Sequence, residues 1–284
     1  MQESELILNP DGSIYHLAVL PEDVAKTIIT VGDPNRVALV SSFFDTVDIK
    51  KSNREFVIHT GWLNNQRVTC LSTGMGTDNI DIVINELDAL FNIDLNTRHI
   101  LKAHTTLTIA RIGTSGSINE NIKVGNVLVT DVAIGLESLF DWYAIGSKSD
   151  NEKAWEALLS QIDLPIKPHV FESDRQLFEQ FSKIYNPGVT LTTGGFYGPQ
   201  NRMLRLSPRL NVIDSLAGLK TAKQGITNIE METAGIYGLC QLLGHKAISI
   251  NAIMANRVTG DFAKNPEEIM NTTIAQTLHL LCPS

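Results

Sequence analysis

The same order of elements recurs along this chain: a short apolar strand, a glycine-containing turn and then a helix. Thr27–Val31 (TIITV) leads into a turn at Gly32 and a helix. A second unit runs from residues 67–71 through 73–76 to a helix beginning at Asp78. Short β-branched runs that alternate with helices are typical of strands buried on both faces. The sequence therefore predicts an α/β fold, a three-layer α/β/α arrangement around a central mixed, largely parallel twisted sheet.

Composition limits the partners that this fold can serve. The chain has 284 residues, 43% of them hydrophobic, and can bury a large core, so we predict one domain over residues 1–284. It carries 23 basic and 31 acidic residues, a formal net charge of −8. That charge argues against nucleic acid and anionic membranes as partners. A phosphate site here must be a local cluster of arginines.

Cysteine and histidine usage argues against disulfides and metal. Cys70, Cys240 and Cys282 are far apart and odd in number, which predicts reduced thiols in a cytoplasmic protein. The first residues lack the apolar core of a signal peptide, and no segment reaches ~18 apolar residues. The seven histidines form neither HxxxH nor HExxH. We therefore expect no metal site.

Residues 107–116 (LTIARIGTSG) combine a buried strand with an arginine and two glycines. We expect Arg111 to lie at the end of the strand, which then opens into residues 113–116. A buried arginine is costly unless an anion lies beside it. Glycine lets backbone approach a ligand, and Thr114 and Ser115 add hydroxyl donors. The stretch predicts an anion site, with a glycine turn and a structural ion pair as the alternative.

Two further arginines lie in polar turns. After Gly32, Asp33 can cap a helix whose first residue is Pro34, and Arg36 lies in its first turn. Free N–H groups at such a helix start favour an anion. The alternative is a plain turn with a surface arginine. Arg54 lies on a polar hairpin tip, SNRE.

Two other clusters follow later strands. Residues 194–202 (GGFYGPQNR) pair aromatic rings with an amide and a guanidinium, which can stack on a flat heterocycle and bind its edge. A surface loop is the alternative. At 230–232 two glutamates flank Met231, and we expect one carboxylate to face a cleft while the other anchors backbone. Since ligands bind at the carboxyl ends of strands in α/β folds, these clusters are expected to meet.

In their order, these motifs resemble those of the nucleoside phosphorylase family, which has the phosphorylase/hydrolase fold. The matches are GDPNR at 32–36, NREF at 53–56, STGMG at 72–76, RIGTSG at 111–116, FYGPQNR at 196–202, NIEMET at 228–233 and NR at 256–257. The similarity covers about residues 15–281. The F-Y-x-x-Q-x-R loop is similar to that of the uridine-cleaving branch. The resemblance implies a pentosyltransferase that reversibly converts uridine and inorganic phosphate to uracil and ribose 1-phosphate, without a cofactor.

The resemblance also implies a role for each matching residue. Phosphate would be bound by Gly32, Arg36, Arg54, Arg111, Gly113 and Thr114. Ribose would be bound by His16, Thr114, Met231 and Glu232, and uracil by Phe196, Gln200, Arg202 and Arg257. Catalysis would rest on Arg111, Glu232, Gln200 and Arg202. Arg54 and His16 would come from a neighbouring subunit, which implies a homo-oligomer, either dimer or hexamer.

Some positions depart from the family pattern. Pro199 stands where glycine is common and removes a backbone donor. Some members bind potassium through glutamate and serine; Glu55 matches, but Asn79 replaces the serine, so potassium stays open. A purine nucleoside phosphorylase or nucleosidase of the same fold is one alternative, although Ala255 and Asn256 supply no aspartate for a purine N7. The other alternative is a non-catalytic nucleoside-binding protein.

Overall fold

The computed structural model of the chain describes residues 1–222 and 224–284. Its strands are β1 (Thr27–Val31), β2 (Thr46–Asn53), β3 (Phe56–Leu63), β4 (Gln66–Ser72), β5 (Ile93–Asp94), β6 (His99–Ile100), β7 (Thr108–Ser117), β8 (Val127–Leu136), β9 (His169–Glu172), β10 (Asn186–Thr193), β11 (Asn228–Glu230) and β12 (Lys246–Asn256). Its helices are α1 (Pro34–Ser41), α2 (Thr77–Asn92), α3 (Asp150–Leu159), α4 (Arg175–Phe181), α5 (Val212–Ala217), α6 (Thr233–Leu243) and α7 (Pro266–Leu281). Within the described ranges, no helix is both long and apolar enough to cross a lipid bilayer.

One large sheet organises the molecule, with strand order β11-β10-β8-β12-β7-β1-β4-β3-β2 and with β9 paired to β8. The adjacent strands β4, β1, β7 and β12 are parallel to one another, and so are the adjacent strands β8, β10 and β11. The β2–β3–β4 edge and the β12–β8, β11–β7 and β8–β9 pairs are antiparallel. The predicted mixed α/β sheet is confirmed.

Alternate residues of β1 show the three layers. Ile28 packs in a cluster with α2 and α6, whereas Ile29 and Val31 pack in another with α1 and α7. Since successive side chains of a strand point to opposite faces, the helices cover both faces of the sheet. Nearly the whole of β1 is buried in consequence.

The structure corrects the prediction for residues 113–116. They form no turn, because β7 continues unbroken from Thr108 to Ser117. β12 pairs with β7 along this length, from Lys246 beside Thr108 to Asn256 beside Ser117. The backbone groups of residues 113–116 therefore take part in strand pairing with β12, although the glycines were expected to leave them available to a ligand. Arg111 therefore lies within a central strand rather than at its end.

Candidate active site

A cleft of about 700 Å³ opens where β1, β7, β10 and β11 reach their carboxyl ends. Most of the predicted site residues line it, drawn from four separate parts of the chain: Gly32, Arg36, Arg111, Gly113, Thr114, Phe196, Gln200, Arg202, Met231 and Glu232. The expectation that the clusters meet at one edge of the sheet is thus confirmed. His16, Arg54 and Arg257 are not among the residues that line this cleft.

Arg111 is buried and engaged on one side by two carboxylates. Its Nη2 lies 2.6 Å from Oε2 of Glu232 and 2.9 Å from Oε2 of Glu230. Its Nη1 donates to Oδ1 of Asn251 at 3.0 Å. Burial alone lowers the pKa of Arg111, but the two carboxylates outweigh it and raise that pKa above its ordinary value. The structural ion pair that stood as an alternative is present, and Arg111 lines the cleft as well.

Gly113 makes room for the Arg111 guanidinium. A Cβ at Gly113 would lie 1.9 Å from Nη1 of Arg111, closer than any real contact. The arginine therefore folds back along its own strand, over the second residue after it. This glycine is needed for space rather than for an unusual backbone angle.

Both glutamates line the cleft and both accept backbone N–H groups, so the predicted split between them is not clear-cut. Glu230 accepts hydrogen bonds from the backbone N–H groups of Glu232 and Thr233 and from the Thr192 hydroxyl, so it anchors the start of α6. Glu232 faces the cleft and accepts from the Gly76 N–H at 2.8 Å. Burial raises the pKa of Glu232 above its ordinary value, although Arg111 opposes the shift. The structure adds a contact that was not predicted, since Glu230 also reaches Arg111.

Arg36 is the second cation of the cleft. Among the residues that the structure describes, its guanidinium has no hydrogen-bond or ion-pair partner, and it is mostly shielded from solvent. Burial lowers the pKa of Arg36, and the positive charge of Arg111 lowers it further. Two arginines that repel each other at the wall of one cleft favour an anionic ligand between them.

The loop after β10 presents the aromatic and amide groups. The Arg202 guanidinium lies 3.7 Å from the centre of the Phe196 ring. It also donates to the side-chain oxygen of Gln200, which is buried. Burial, together with the nearby charge of Arg257, lowers the pKa of Arg202 to about 10. This contact occupies one lone pair of the Gln200 carbonyl oxygen and leaves the other lone pair and the N–H groups for a ligand.

Arg257 lies behind this loop rather than in the cleft. Its guanidinium donates to the backbone carbonyls of Gln200 and Asn201, and its aliphatic part packs against Gly116. Arg257 thus lies against the backbone of this loop and outside the lining of the cleft, and its contact with the base stays a prediction. Pro199 packs closely against Gly195, where a Cβ would lie 2.9 Å from the proline Cγ.

His16 and Arg54 lie near each other, and neither lines the cleft, although Glu55, the residue after Arg54, does. The His16 ring bonds to Glu86 at 2.6 Å, and its carbonyl accepts from the Asn53 amide. The Arg54 guanidinium lies 5.5 Å from the ring of Tyr15, the residue before His16. Two residues far apart in sequence thus form one surface group.

Possible cation ligands occur at two places. Glu55 and Asn79 both lie beside Gly74, where a Cβ would meet Asn79 Nδ2 at 2.3 Å and Glu55 Cγ at 3.4 Å. Asp88, His104 and His245 form a second group. Nδ1 of His245 accepts the Leu107 N–H, so Nε2 carries the proton and faces Asp88. That hydrogen bond argues against metal ligation by His245.

Sequence analysis missed two groups that do not line the cleft but hold residues that do. Asn251 was overlooked, although an asparagine within the apolar run KAISINAIMAN was a usable signal. The Gly76 N–H, which precedes α2, binds Glu232 from the other half of the chain. No local pattern shows that contact.

The fold and the cleft together identify the class of protein. It is a nucleoside phosphorylase, which is a pentosyltransferase. The chain belongs to the phosphorylase superfamily, whose sequence profile matches residues 26–280.

Individual relatives refine this assignment. The chain is 29% identical to a uridine phosphorylase of Thermococcus kodakarensis over 275 residues, which cover 95% of this chain and 87% of the relative. It is 26% identical to a DeoD-type purine nucleoside phosphorylase of Caldanaerobacter subterraneus, covering 90% and 94%. A nucleoside phosphorylase of Trypanosoma brucei, described as showing uridine phosphorylase activity, has a similar structure, with a TM-score of 0.91 and 26% identity, covering 98% of this chain and 100% of that one.

Proposed function

We propose that this chain is a uridine phosphorylase that reversibly converts uridine and inorganic phosphate to uracil and ribose 1-phosphate. The observation that carries the proposal is the composition of one cleft. Arg36 and Arg111 form the cationic wall of the cleft. A second wall is formed by the loop that carries Phe196, Gln200 and Arg202. The uridine phosphorylases among its relatives support the same assignment.

Phosphate binds at the cationic wall. Of the five N–H donors of Arg111, three contact Glu230, Glu232 and Asn251, which leaves two for a ligand. The unpaired Arg36 guanidinium adds further donors. Gly32, Gly113 and Thr114 complete the phosphate set, together with Arg54 from a neighbouring subunit. Charge-assisted contacts of this kind orient phosphate for attack.

Glu232 acts on the sugar. With Met231 and Thr114 it holds the ribose, while His16 from the neighbouring subunit reaches the 5′ end. Phosphate attacks the anomeric carbon as the ring gains positive charge, and the Glu232 carboxylate stabilises that charge. Because Gly76 and Arg111 hold the carboxylate in place, it needs no reorganisation as the charge develops.

The loop after β10 binds and stabilises the departing uracil. Phe196 stacks on the ring, and Gln200 and Arg202 donate to its edge as negative charge grows there. Arg257 supports this step by holding the loop backbone. No covalent nucleophile and no cofactor are required, and we include no metal in the mechanism.

Assembly and cellular context follow from the same assignment. We place Arg54 and His16 in the site of a neighbouring subunit, because the two lie near each other and neither lines its own cleft. The enzyme is then a homo-oligomer, dimer or hexamer, with residues 1–284 as one domain. Three buried free cysteines suit a cytoplasmic enzyme of pyrimidine salvage. Its partners are small substrates rather than nucleic acid or membrane.

A purine nucleoside phosphorylase is the second candidate, because DeoD-type relatives are 26% identical. Asn256 argues against it. The Asn256 amide donates to the carbonyls of Asn119 and Ile122, and its oxygen accepts the N–H groups of Val258 and Thr259. Its side-chain amide is therefore committed to backbone hydrogen bonds, and an amide cannot protonate a purine N7.

The test is uracil release from uridine with and without inorganic phosphate, with inosine and thymidine measured in parallel. We expect release that requires phosphate and that is faster with uridine than with inosine. Phosphate-independent release would instead indicate a nucleosidase. Faster cleavage of inosine would overturn the uridine assignment.

A further inference from the structure

A buried asparagine holds Arg111 from behind. Asn251 lies in β12, is fully buried, and accepts a hydrogen bond from Nη1 of Arg111 at 3.0 Å. Its neighbours in the strand, Ile250 and Ala252, are core residues. A buried amide is costly unless its polar atoms are paired, so its presence in this strand requires a reason. In the proposed mechanism Asn251 contacts Arg111 but has no role of its own.

Two hydroxyl groups set the orientation of Asn251. Its Nδ2 donates to Oγ1 of Thr130 at 3.1 Å and to Oγ of Ser249 at 3.2 Å. Both partners are fully buried. With both N–H groups committed to hydroxyls, the amide can present only its oxygen to the arginine.

From Asn251, a row of side-chain hydrogen bonds continues across the sheet through Thr130 and Thr190 to Asn228. Thr190 donates to Oδ1 of Asn228 at 3.0 Å, so the hydrogen in the 2.7 Å contact between Thr130 and Thr190 comes from Thr130. Thr130 is then free to accept from Asn251. At the far end, Nδ2 of Asn228 donates to Oγ of Ser115, which lines the cleft. Reversing the Asn251 amide would leave buried groups in this row unpaired, which is unfavourable.

The contact with Asn251 supplies a second fixed point for the guanidinium. Both carboxylates bind at Nη2, so by themselves they hold Arg111 at one end. Asn251 holds it at Nη1. Two held nitrogens define the orientation of a planar group, and the N–H groups that remain are one on Nη1 and the one on Nε.

We propose that Asn251 is a positioning residue that acts through Arg111. By fixing Nη1, it directs the two remaining N–H groups of Arg111 toward inorganic phosphate. The proposal rests on the assigned phosphorolysis, and it makes phosphate binding, rather than nucleoside binding, the property that Asn251 controls.

The variant Asn251→Leu tests this, because leucine has the same number of side-chain heavy atoms and no polar group. We expect the KM for phosphate to rise about tenfold, because the variant loses one hydrogen bond to a charged group. The KM for uridine should change by less than about twofold. Calorimetric titration with inorganic phosphate alone should show the same weakening as the kinetics.

Thr60→Val is the matched control. It removes a buried hydroxyl that pairs with Thr69 at 2.7 Å in the β3–β4 region, outside the lining of the cleft. It should lower stability without changing the KM for either substrate. A merely structural role for Asn251 would make its variant behave in the same way.

Thr130→Val provides a second variant if Asn251→Leu does not fold. It keeps Asn251 but removes one of its two acceptors, and we expect a smaller rise in the phosphate KM, about threefold. Parental phosphate affinity in both variants, or an equal rise in both KM values, would overturn the proposal. Uracil release that needs no phosphate in the parent would overturn the proposed function instead, and phosphate titration would still report on Asn251.

Discussion

Arg111 and Gly113 approach so closely that no side chain fits between them. A Cβ on Gly113 would lie 1.9 Å from Nη1 of Arg111 and 2.4 Å from its Cζ. The arginine cannot simply move aside, because Glu230, Glu232 and Asn251 hold it. The phosphate site of the proposed enzyme thus depends on a residue with no functional group.

The first prediction is that Gly113→Ala resembles Arg111→Ala in kinetics. Displacing the guanidinium removes charge-assisted contacts worth about 1.5–3 kcal/mol, so kcat/KM for phosphate should fall about 10- to 100-fold. Steady-state kinetics with varied phosphate measure this. Arg111→Ala should also lower stability, because it leaves Glu230 and Glu232 buried without their cation. Gly146→Ala, at a glycine with open space around it, is the control, and normal phosphate kinetics in Gly113→Ala would contradict the prediction.

The second prediction concerns pH. Burial raises the pKa of Glu232 above its ordinary value, with Arg111 opposing the shift. Because the charged form stabilises the cationic sugar, kcat should fall as the pH drops through this raised pKa, above the usual glutamate range. In Glu232→Gln, kcat should fall about 100-fold and lose this acidic limb. The measurement is kcat at saturating phosphate across pH, and an unchanged limb in the variant would assign it to another group.

The third prediction concerns base choice. Gln200 and Arg202 match the carbonyls and the N3–H of uracil, whereas cytosine would leave buried groups unpaired at about 1–3 kcal/mol each. Cytidine should therefore be a very poor substrate. Gln200→Ala should lower kcat/KM for uridine far more than it changes the KM for phosphate. Parallel assays with uridine and cytidine measure this, and unchanged uridine turnover in Gln200→Ala would remove Gln200 from the base site.

The fourth prediction concerns shared sites. If Arg54 completes a neighbour's site, Arg54→Ala and Glu232→Ala should each be nearly inactive alone. Mixed subunits should regain part of the activity, because some sites then contain both native residues. Arg175→Ala, at an exposed arginine paired with Glu179, is the control and should be active alone. Activity in a species that sedimentation shows to be monomeric would refute sharing.

The fifth prediction concerns stability near a second buried carboxylate. Glu137 is buried, one oxygen accepts from the Leu139 N–H, and the other has no hydrogen-bond partner among the described residues. Burial raises the pKa of Glu137, and the charges of Asp141 and Asp78 raise it further. The native state therefore holds this proton more tightly than the unfolded state does. The stability that results is present at low pH and is lost as the pH rises through the raised pKa.

Glu137→Gln should accordingly be more stable than the parent at about pH 8 and differ little at about pH 4.5. Urea denaturation at both pH values measures the difference. Glu120→Gln, which changes an exposed acid, should show no such pH-dependent gain. A Glu137→Gln variant that is less stable at the higher pH would show that the carboxylate is held charged.

Local sequence determined the elements of this protein and the identity of most groups in the cleft. β1 and α6 begin and end where their apolar patterns do, at Thr27–Val31 and Thr233–Leu243. The place of Glu230 and Glu232 at a strand-to-helix junction was also evident from local sequence. These properties depend on side-chain period, propensity and neighbours a few residues away, and such information is contained in any short window of sequence.

Only the tertiary structure decided how those groups are paired. Strand register places Asn251 beside Gly113 on neighbouring strands, although they are far apart in sequence, and so gives Arg111 its partner. The same register pairs residues 113–116 with β12 and so keeps them in a strand, which their glycines alone would not predict. Arg257 lies behind the loop after β10 for a similar reason, since the carbonyls that it binds come from another part of the chain. Contacts between distant segments depend on how whole elements pack, and no local pattern carries that information.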